Sequence, residues 1–225
     1  MKKAVAAVLS LLVVLALSGC GEDTSDSNAG VTAAGGTVKA TTAAQAEKAP
    51  LMGTLEGQTY QNQNLGMTCT LPSSFVYSTK EELLAKNGLE AADVAALETM
   101  ADHFQQVHLM YALDQEARTN ILVTYQKATA ETMAKVDLKA DLQARLEGDI
   151  QAYEGMGVSG VQGEYTTVSV GGKTLDAVLL SGVYQDRSLL SMTVQYKQET
   201  GLVTLTLNGQ SRQSLDQLLS AISLT

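Results

Sequence analysis

The chain is poor in the side chains on which many activities depend: its 225 residues include two cysteines, two histidines, two phenylalanines and no tryptophan. Two cysteines cannot build a disulfide framework. Without tryptophan the chain lacks the indole platforms common at sugar sites, although eight tyrosines remain. Positive charge is also scarce, with 15 lysines and arginines against 24 acidic residues, a net charge of −9. Binding to a phosphate backbone needs clustered cations that release counterions. Here the basic residues after position 58 are scattered among acids, so nucleic acid is not an expected partner. The same balance argues against a domain lying flat on anionic lipid. Solubility is the simpler use of the charge.

Long apolar runs are absent too, with one exception at the start. Lys2 and Lys3 precede Ala4 to Leu17, which is apolar except for Ser10. That pattern is a secretory signal, and it falls short of the ~20 residues a helix needs to span a bilayer. The run ends in Leu17-Ser18-Gly19-Cys20, which resembles the lipobox of bacterial lipoproteins at all four positions. The resemblance implies cleavage between Gly19 and Cys20 and a diacylglyceryl group on the Cys20 sulfur. The mature protein would then be anchored at the outer face of the bacterial cell membrane. Two acyl chains suit this role, because a single chain binds only marginally. Loss of residues 1 to 19 removes Lys2 and Lys3 and takes the net charge to −11.

From Gly21 to Gly57 the sequence is dominated by Ala, Thr, Gly, Ser and Asp, with almost no large apolar residue before Leu51. Such a segment buries too little to offset its ordering entropy and is expected to act as a linker after Cys20. Random-coil scaling gives it a span of roughly 30–35 Å, enough to lift a domain clear of the headgroups.

Residues 58 to 225 have the length of one domain. Tyr60 to Gly66 is a turn-rich lead, and Met67 to Leu71 alternates as a strand that Pro72 stops. Thr79-Lys80-Glu81-Glu82 has capping-box spacing and opens a helix that Asn87-Gly88 terminates. A second helical piece is expected over Glu90 to Met100. Gln105 to Leu113 and Asn120 to Gln126 alternate with period two and predict a hairpin, with Val107, Leu109, Tyr111, Ile121, Val123 and Tyr125 inward. Leu138, Leu142, Leu146 and Ile150 predict a helix from Asp137 to Glu154 with Lys139, Asp141, Arg145 and Asp149 on its solvated face. Strands follow at Tyr165 to Val170, Leu175 to Tyr184, Leu189 to Lys197 and Gly201 to Asn208, with Gly171-Gly172 as the first hairpin turn. Ser211 starts a last helix with Leu215, Leu218, Leu219 and Ile222 as its docking stripe. This order predicts an α+β fold, an antiparallel sheet of six to seven strands packed with helices.

The segment Tyr60 to Phe75 (YQNQNLGMTCTLPSSF), the helix with Glu81-Glu82-Leu83-Leu84 and the element order that follows resemble the PsbP-like fold. That group includes the extrinsic PsbP protein of photosystem II, a yeast Ran-binding factor and small lipoproteins of Gram-positive bacteria. The resemblance implies a domain that binds other proteins and is not an enzyme. It carries no binding residues over to this chain.

The chemistry-bearing residues point the same way. With Cys20 lipidated, Cys69 has no partner, and its place in Met67-Thr68-Cys69-Thr70-Leu71 makes it a small core hydrophobe. A reactive thiolate would need a stabilising neighbour, which only spatial proximity could supply. His103 and His108 lie five apart, which fits neither the i, i+4 pair of a zinc-binding helix nor one strand face. A metal site from both would need an intervening turn and a carboxylate from elsewhere. Gly157-Val158-Ser159-Gly160 is one residue short of a nucleophile elbow. Gly155, Gly157, Gly160 and Gly163 follow a helix, whereas a phosphate cradle follows a strand, so they are expected to form a flexible connection. Met100, Met110, Met133, Met156 and Met192 show no copper-binding repeat and suit core filling.

No catalytic residue, metal site or cofactor is therefore expected, and Cys20 is the one assigned functional residue. The predicted function is non-catalytic binding of a protein or cell-envelope component, through the exposed meander face or the Gly155 to Gly163 connection. The alternative is a small-molecule solute-binding lipoprotein serving a transporter, with an enzyme as the third reading.

Overall fold

A computed structural model describes residues 51–90 and 93–225. The predicted signal, Cys20 and most of the expected linker lie outside the described residues.

The fold is mixed helix and sheet, with two antiparallel sheets and five α-helices among the described residues. In chain order the strands are β1 (Thr54–Glu56), β2 (Thr59–Asn62), β3 (Met67–Thr70), β4 (Val76–Tyr77), β5 (Gln106–Asp114), β6 (Thr119–Lys127), β7 (Ser159–Val170), β8 (Lys173–Tyr184), β9 (Arg187–Gln198), β10 (Gly201–Gly209) and β11 (Ile222–Leu224). The helices are α1 (Lys80–Lys86), α2 (Val94–Asp102), α3 (Ala130–Lys135), α4 (Leu138–Gly155) and α5 (Arg212–Ser220). The large sheet runs β4-β5-β6-β10-β9-β8-β7 and the small one β1-β2-β3-β11. No described helix is long and apolar enough to cross a membrane.

The sheet's register explains why its core is continuous. Val123 of β6 faces Leu205 of β10, Leu205 faces Val194 of β9, and Val194 faces Ala177 of β8. All four are buried, as are Ile121, Leu207 and Met192 in the next row. Alternation thus drives one set of side chains inward on every strand, at roughly 1.5–3 kcal/mol for each large apolar group buried. Leu215 and Leu218 of α5, Leu84 of α1, Leu97 of α2 and Met67 and Cys69 of β3 close the same core.

The capping box predicted for α1 is present: Glu82 N–H donates to Thr79 Oγ1 (3.2 Å) and Thr79 N–H donates to Glu82 Oε2 (2.9 Å). Ser211 caps α5 in the same reciprocal way. Ile222, expected on the docking stripe of the last helix, belongs to β11, and Asp149, expected on the solvated face of α4, is half-buried; four larger expectations also differ from the structure. The linker was expected to reach Gly57, yet Thr54–Glu56 pairs with Thr59–Gln61 as the outer strand of the small sheet. The small sheet itself was not foreseen, and its fourth strand comes from the far end of the chain, pairing Ile222 with Cys69. In β5 the register shifts between His108 and Met110, so Met110 and Ala112 join Val107 and Leu109 in the core and Tyr111 turns to the opposite face. An extra residue in one strand inverts every side chain beyond it.

The fourth difference concerns the glycine-rich stretch expected to be a flexible connection. Only residues 156–158 connect; Ser159 onward is strand β7, with a bulge between Ser159 and Gln162 and Gly160 at φ 62°. Gly163 lies beneath α4, where a Cβ would come within 2.5 Å of Leu146 Cδ1 and 2.8 Å of Leu180 Cδ2. The glycine there serves close helix-to-strand packing.

Candidate functional site

The sequence-level candidates separate in space. His103 caps the C-terminus of α2 and is exposed, whereas His108 is half-buried on β5. No group of three metal-ligating side chains occurs among the described residues. The backbone of His108 is held on both sides by one amide: Asn87 Nδ2 donates to its carbonyl (3.0 Å) and its N–H donates to Asn87 Oδ1 (2.8 Å). Its ring hydrogen-bonds the Lys86 backbone, and Nδ1 is buried without a partner. Burial holds the imidazole below its usual pKa, reinforced by the Lys86 charge. A neutral ring locked at a strand edge is a structural part.

Cys69 is fully buried, and burial pushes its thiol pKa up to about 12. It stays protonated at physiological pH, which withholds the thiolate that nucleophilic or redox chemistry requires. No described side chain pairs with it as a disulfide.

Among the described residues is a concavity that the sequence reading did not single out. It has a volume of about 240 Å³ and opens where the start of β8, the end of β9, the first turn of α4 and residues 224–225 converge. Leu138, Leu175, Tyr196 and Leu224 give it apolar walls, while Lys173, Asp176, Gln195 and Lys197 give it charge and amide groups. Asp176 stands opposite Gln195 in the β8–β9 register. Lys197 follows Gln195 by two residues and so shares its face. The Tyr165 hydroxyl donates to Asp176, and that bond pushes the phenol pKa up to about 12, keeping it a donor. Lys173 Nζ donates to the Thr225 backbone oxygen (3.0 Å) and Lys197 Nζ to the Val136 carbonyl. The floor is fixed by Tyr196 OH and Gln198 Nε2, which both donate to the Leu65 carbonyl, at 3.1 and 2.6 Å. The only sequence signal was polar residues at alternate positions inside apolar strands, which a solvated face produces equally well.

A second surface is the outer face of the large sheet. Opposite the buried rows, Asn120 and Leu122 of β6, Thr204, Thr206 and Asn208 of β10 and Thr193 of β9 are half-buried. Asn208 Nδ2 donates to Asn120 Oδ1 (2.9 Å), and Asn208 Oδ1 is buried without a partner. Part of the predicted meander surface is this face. The Gly155 to Gly163 connection, by contrast, is mostly strand.

No protein-family model matches the chain, and no curated protein is significantly similar to it.

Proposed function

We propose that the protein is a lipid-anchored extracytoplasmic binding module, tethered through Cys20 to the outer face of a bacterial cell membrane. Its domain engages a protein or cell-envelope component without altering it chemically. The observation that carries this reading is the half-buried polar array on the outer sheet face, Asn120, Leu122, Thr193, Thr204, Thr206 and Asn208. Neighbouring strands hold such side chains about 4.5–5.5 Å apart, so threonine and asparagine offer a fixed grid of donors and acceptors. The resemblance to the PsbP-like fold supports the same reading, since members of that group mostly bind proteins.

The test is a paired capture from envelope fractions, using the wild-type protein and a Thr204→Lys/Thr206→Lys variant of equal melting temperature. A defined component retained by the wild type and lost by the variant is expected. Identical capture by the two proteins would remove the sheet face from the account.

A further inference from the structure

Among the described residues the two sheets have four edge strands, and three of these are blunted by brevity. β4 has two residues, and β1 and β11 have three each. Short edges protect a sheet from pairing with another chain. The fourth edge is β7, twelve residues long, which pairs with β8 alone. The bulge between Ser159 and Gln162 blunts its start, but from Gln162 to Val170 the register is regular. That stretch has no proline, no lysine or arginine, and Glu164 as its one charged residue. Gln162, Glu164, Thr167 and Ser169 are exposed. Among the described residues no turn, loop or cap hydrogen bond reaches the β7 backbone. Alternate residues of an antiparallel strand aim N–H and C=O away from the partner, so β7 presents backbone donors and acceptors along its free side.

Another extended backbone is the group that matches such a ladder. The side chains along it narrow the choice. Gly163 leaves β7 without a side chain on the α4 face, where Leu146 and Ile150 lie over it, each half-buried. A ring on a neighbouring strand can cover an edge glycine of this kind and bury the leucine and isoleucine beside it. Glu164 comes next and projects to the opposite face. An added strand alternates in the same way, so its residues opposite Gly163 and Glu164 are adjacent in sequence.

We infer that the free edge of β7 binds an extended peptide segment as an added strand, with an aromatic side chain over Gly163 and an adjacent lysine or arginine beside Glu164. The chain's own candidates do not supply that pair. The β7 of a second copy has no basic residue, and residues 21–50 have no aromatic one. The occupant is therefore a segment of another polypeptide.

The experiment is fluorescence anisotropy of the processed protein in detergent with labelled, end-capped peptides of strand length. They alternate serine and threonine around a central pair of adjacent residues that runs through all combinations of the standard amino acids. Saturable binding is expected for an aromatic residue next to lysine or arginine. The exposed substitution Glu164→Lys, checked for an unchanged melting temperature, is expected to weaken that binding about fivefold and to shift the preference to an aromatic residue next to an acidic one. N-methylation tests the ladder itself. Methyl groups on the peptide amides that face β7 are expected to weaken binding about tenfold or more, and those on the alternate amides to leave it unchanged. Absence of binding by every pair overturns the inference, as does equal binding of the two methylated series or an unchanged preference in Glu164→Lys. A dimer of the peptide-free protein in sedimentation, with no peptide binding, would assign the edge to a second copy and overturn it too. None of these results bears on capture by the outer sheet face, so the two readings fail separately.

Discussion

Asn87 pairs with His108 as though it were a strand. Its one side-chain amide satisfies both the N–H and the C=O of His108, at 2.8 and 3.0 Å, along a stretch of β5 beyond the reach of β4, which pairs only with Ala112 and Leu113. The same Nδ2 also donates to the Leu83 carbonyl at 2.8 Å, so the amide joins the end of α1 to the sheet. Asn87→Ala removes the side-chain partner of the His108 N–H and carbonyl, while the Leu83 carbonyl keeps the backbone N–H of residue 87, and is expected to cost about 1–3 kcal/mol in urea unfolding. Asn87→Asp is expected to cost more, because a carboxylate would face the His108 and Leu83 carbonyls. A loss below the experimental error in both variants would show that water replaces the amide without penalty.

The same residue sets a pH dependence. The His108 imidazole is held below its usual pKa of 6.5 by burial first and then by the Lys86 charge. The unfolded chain therefore takes up a proton more readily than the folded one. The stability associated with the neutral ring is fully present above about pH 6.5 and is lost as pH falls from there through the lower folded value. Replacing His108 with Gln is expected to flatten the stability profile over that window. The check is chemical denaturation from pH 7.5 to 4.5, with an unchanged slope in the variant as the contrary result.

Phe104 follows α2 at φ 58° with 51% of its surface exposed, an uncommon backbone conformation for a bulky side chain. Its N–H donates to the Ala101 carbonyl and the next N–H to that of Met100, which closes the helix end as a glycine usually does. Phe104→Gly relieves about 1–2 kcal/mol of left-handed strain but gives up the buried half of the side chain and frees the unfolded backbone, so a net loss of about 1 kcal/mol is expected in thermal unfolding. A gain of similar size would mean that the strain outweighs the contacts of the ring.

Gly163 offers the opposite case. An alanine there would meet Leu146, Ile150 and Leu180 within 3.1 Å, all at the ends of side chains. Those ends belong to flexible side chains, two of them half-buried, which can turn aside, so Gly163→Ala is expected to cost no more than about 1 kcal/mol. Thermal unfolding measures it directly, and a larger loss would show that the contact between α4 and the sheet is too tight for these side chains to turn.

Much of the fold could be read in the chain because its local signals agree. Thr79 and Glu82 announced their reciprocal cap, Gly171-Gly172 the tight hairpin, and Val123, Leu205 and Val194 their inward faces. The failures share a physical cause. The bulge after His108 is a relation between two strands and leaves no mark on the alternation of β5 alone, so Tyr111 was assigned to the wrong face. The strands β1, β4 and β11 have two or three residues each, too few to show a period. The pocket was illegible for a related reason. Asp176 and Lys197 are 21 residues apart and come near each other only through the β8–β9 register.

The two cysteines allow one assay to test the anchor and the core together. The proposed lipidation would block the Cys20 sulfur as a thioether, while Cys69 keeps its thiol but is fully buried, with its pKa pushed up to about 12. The native processed protein is therefore expected to give no reaction with a thiol reagent at pH 8. In denaturant the same protein should titrate one thiol, because Cys69 becomes accessible and Cys20 does not. Two thiols in denaturant would mean that Cys20 is free and the anchor assignment fails. One thiol in the native state would mean that Cys69 is reached without global unfolding, since reagents report the open population when opening is fast. Cys20→Ala separates the two cases, because any thiol it still shows in the native state belongs to Cys69.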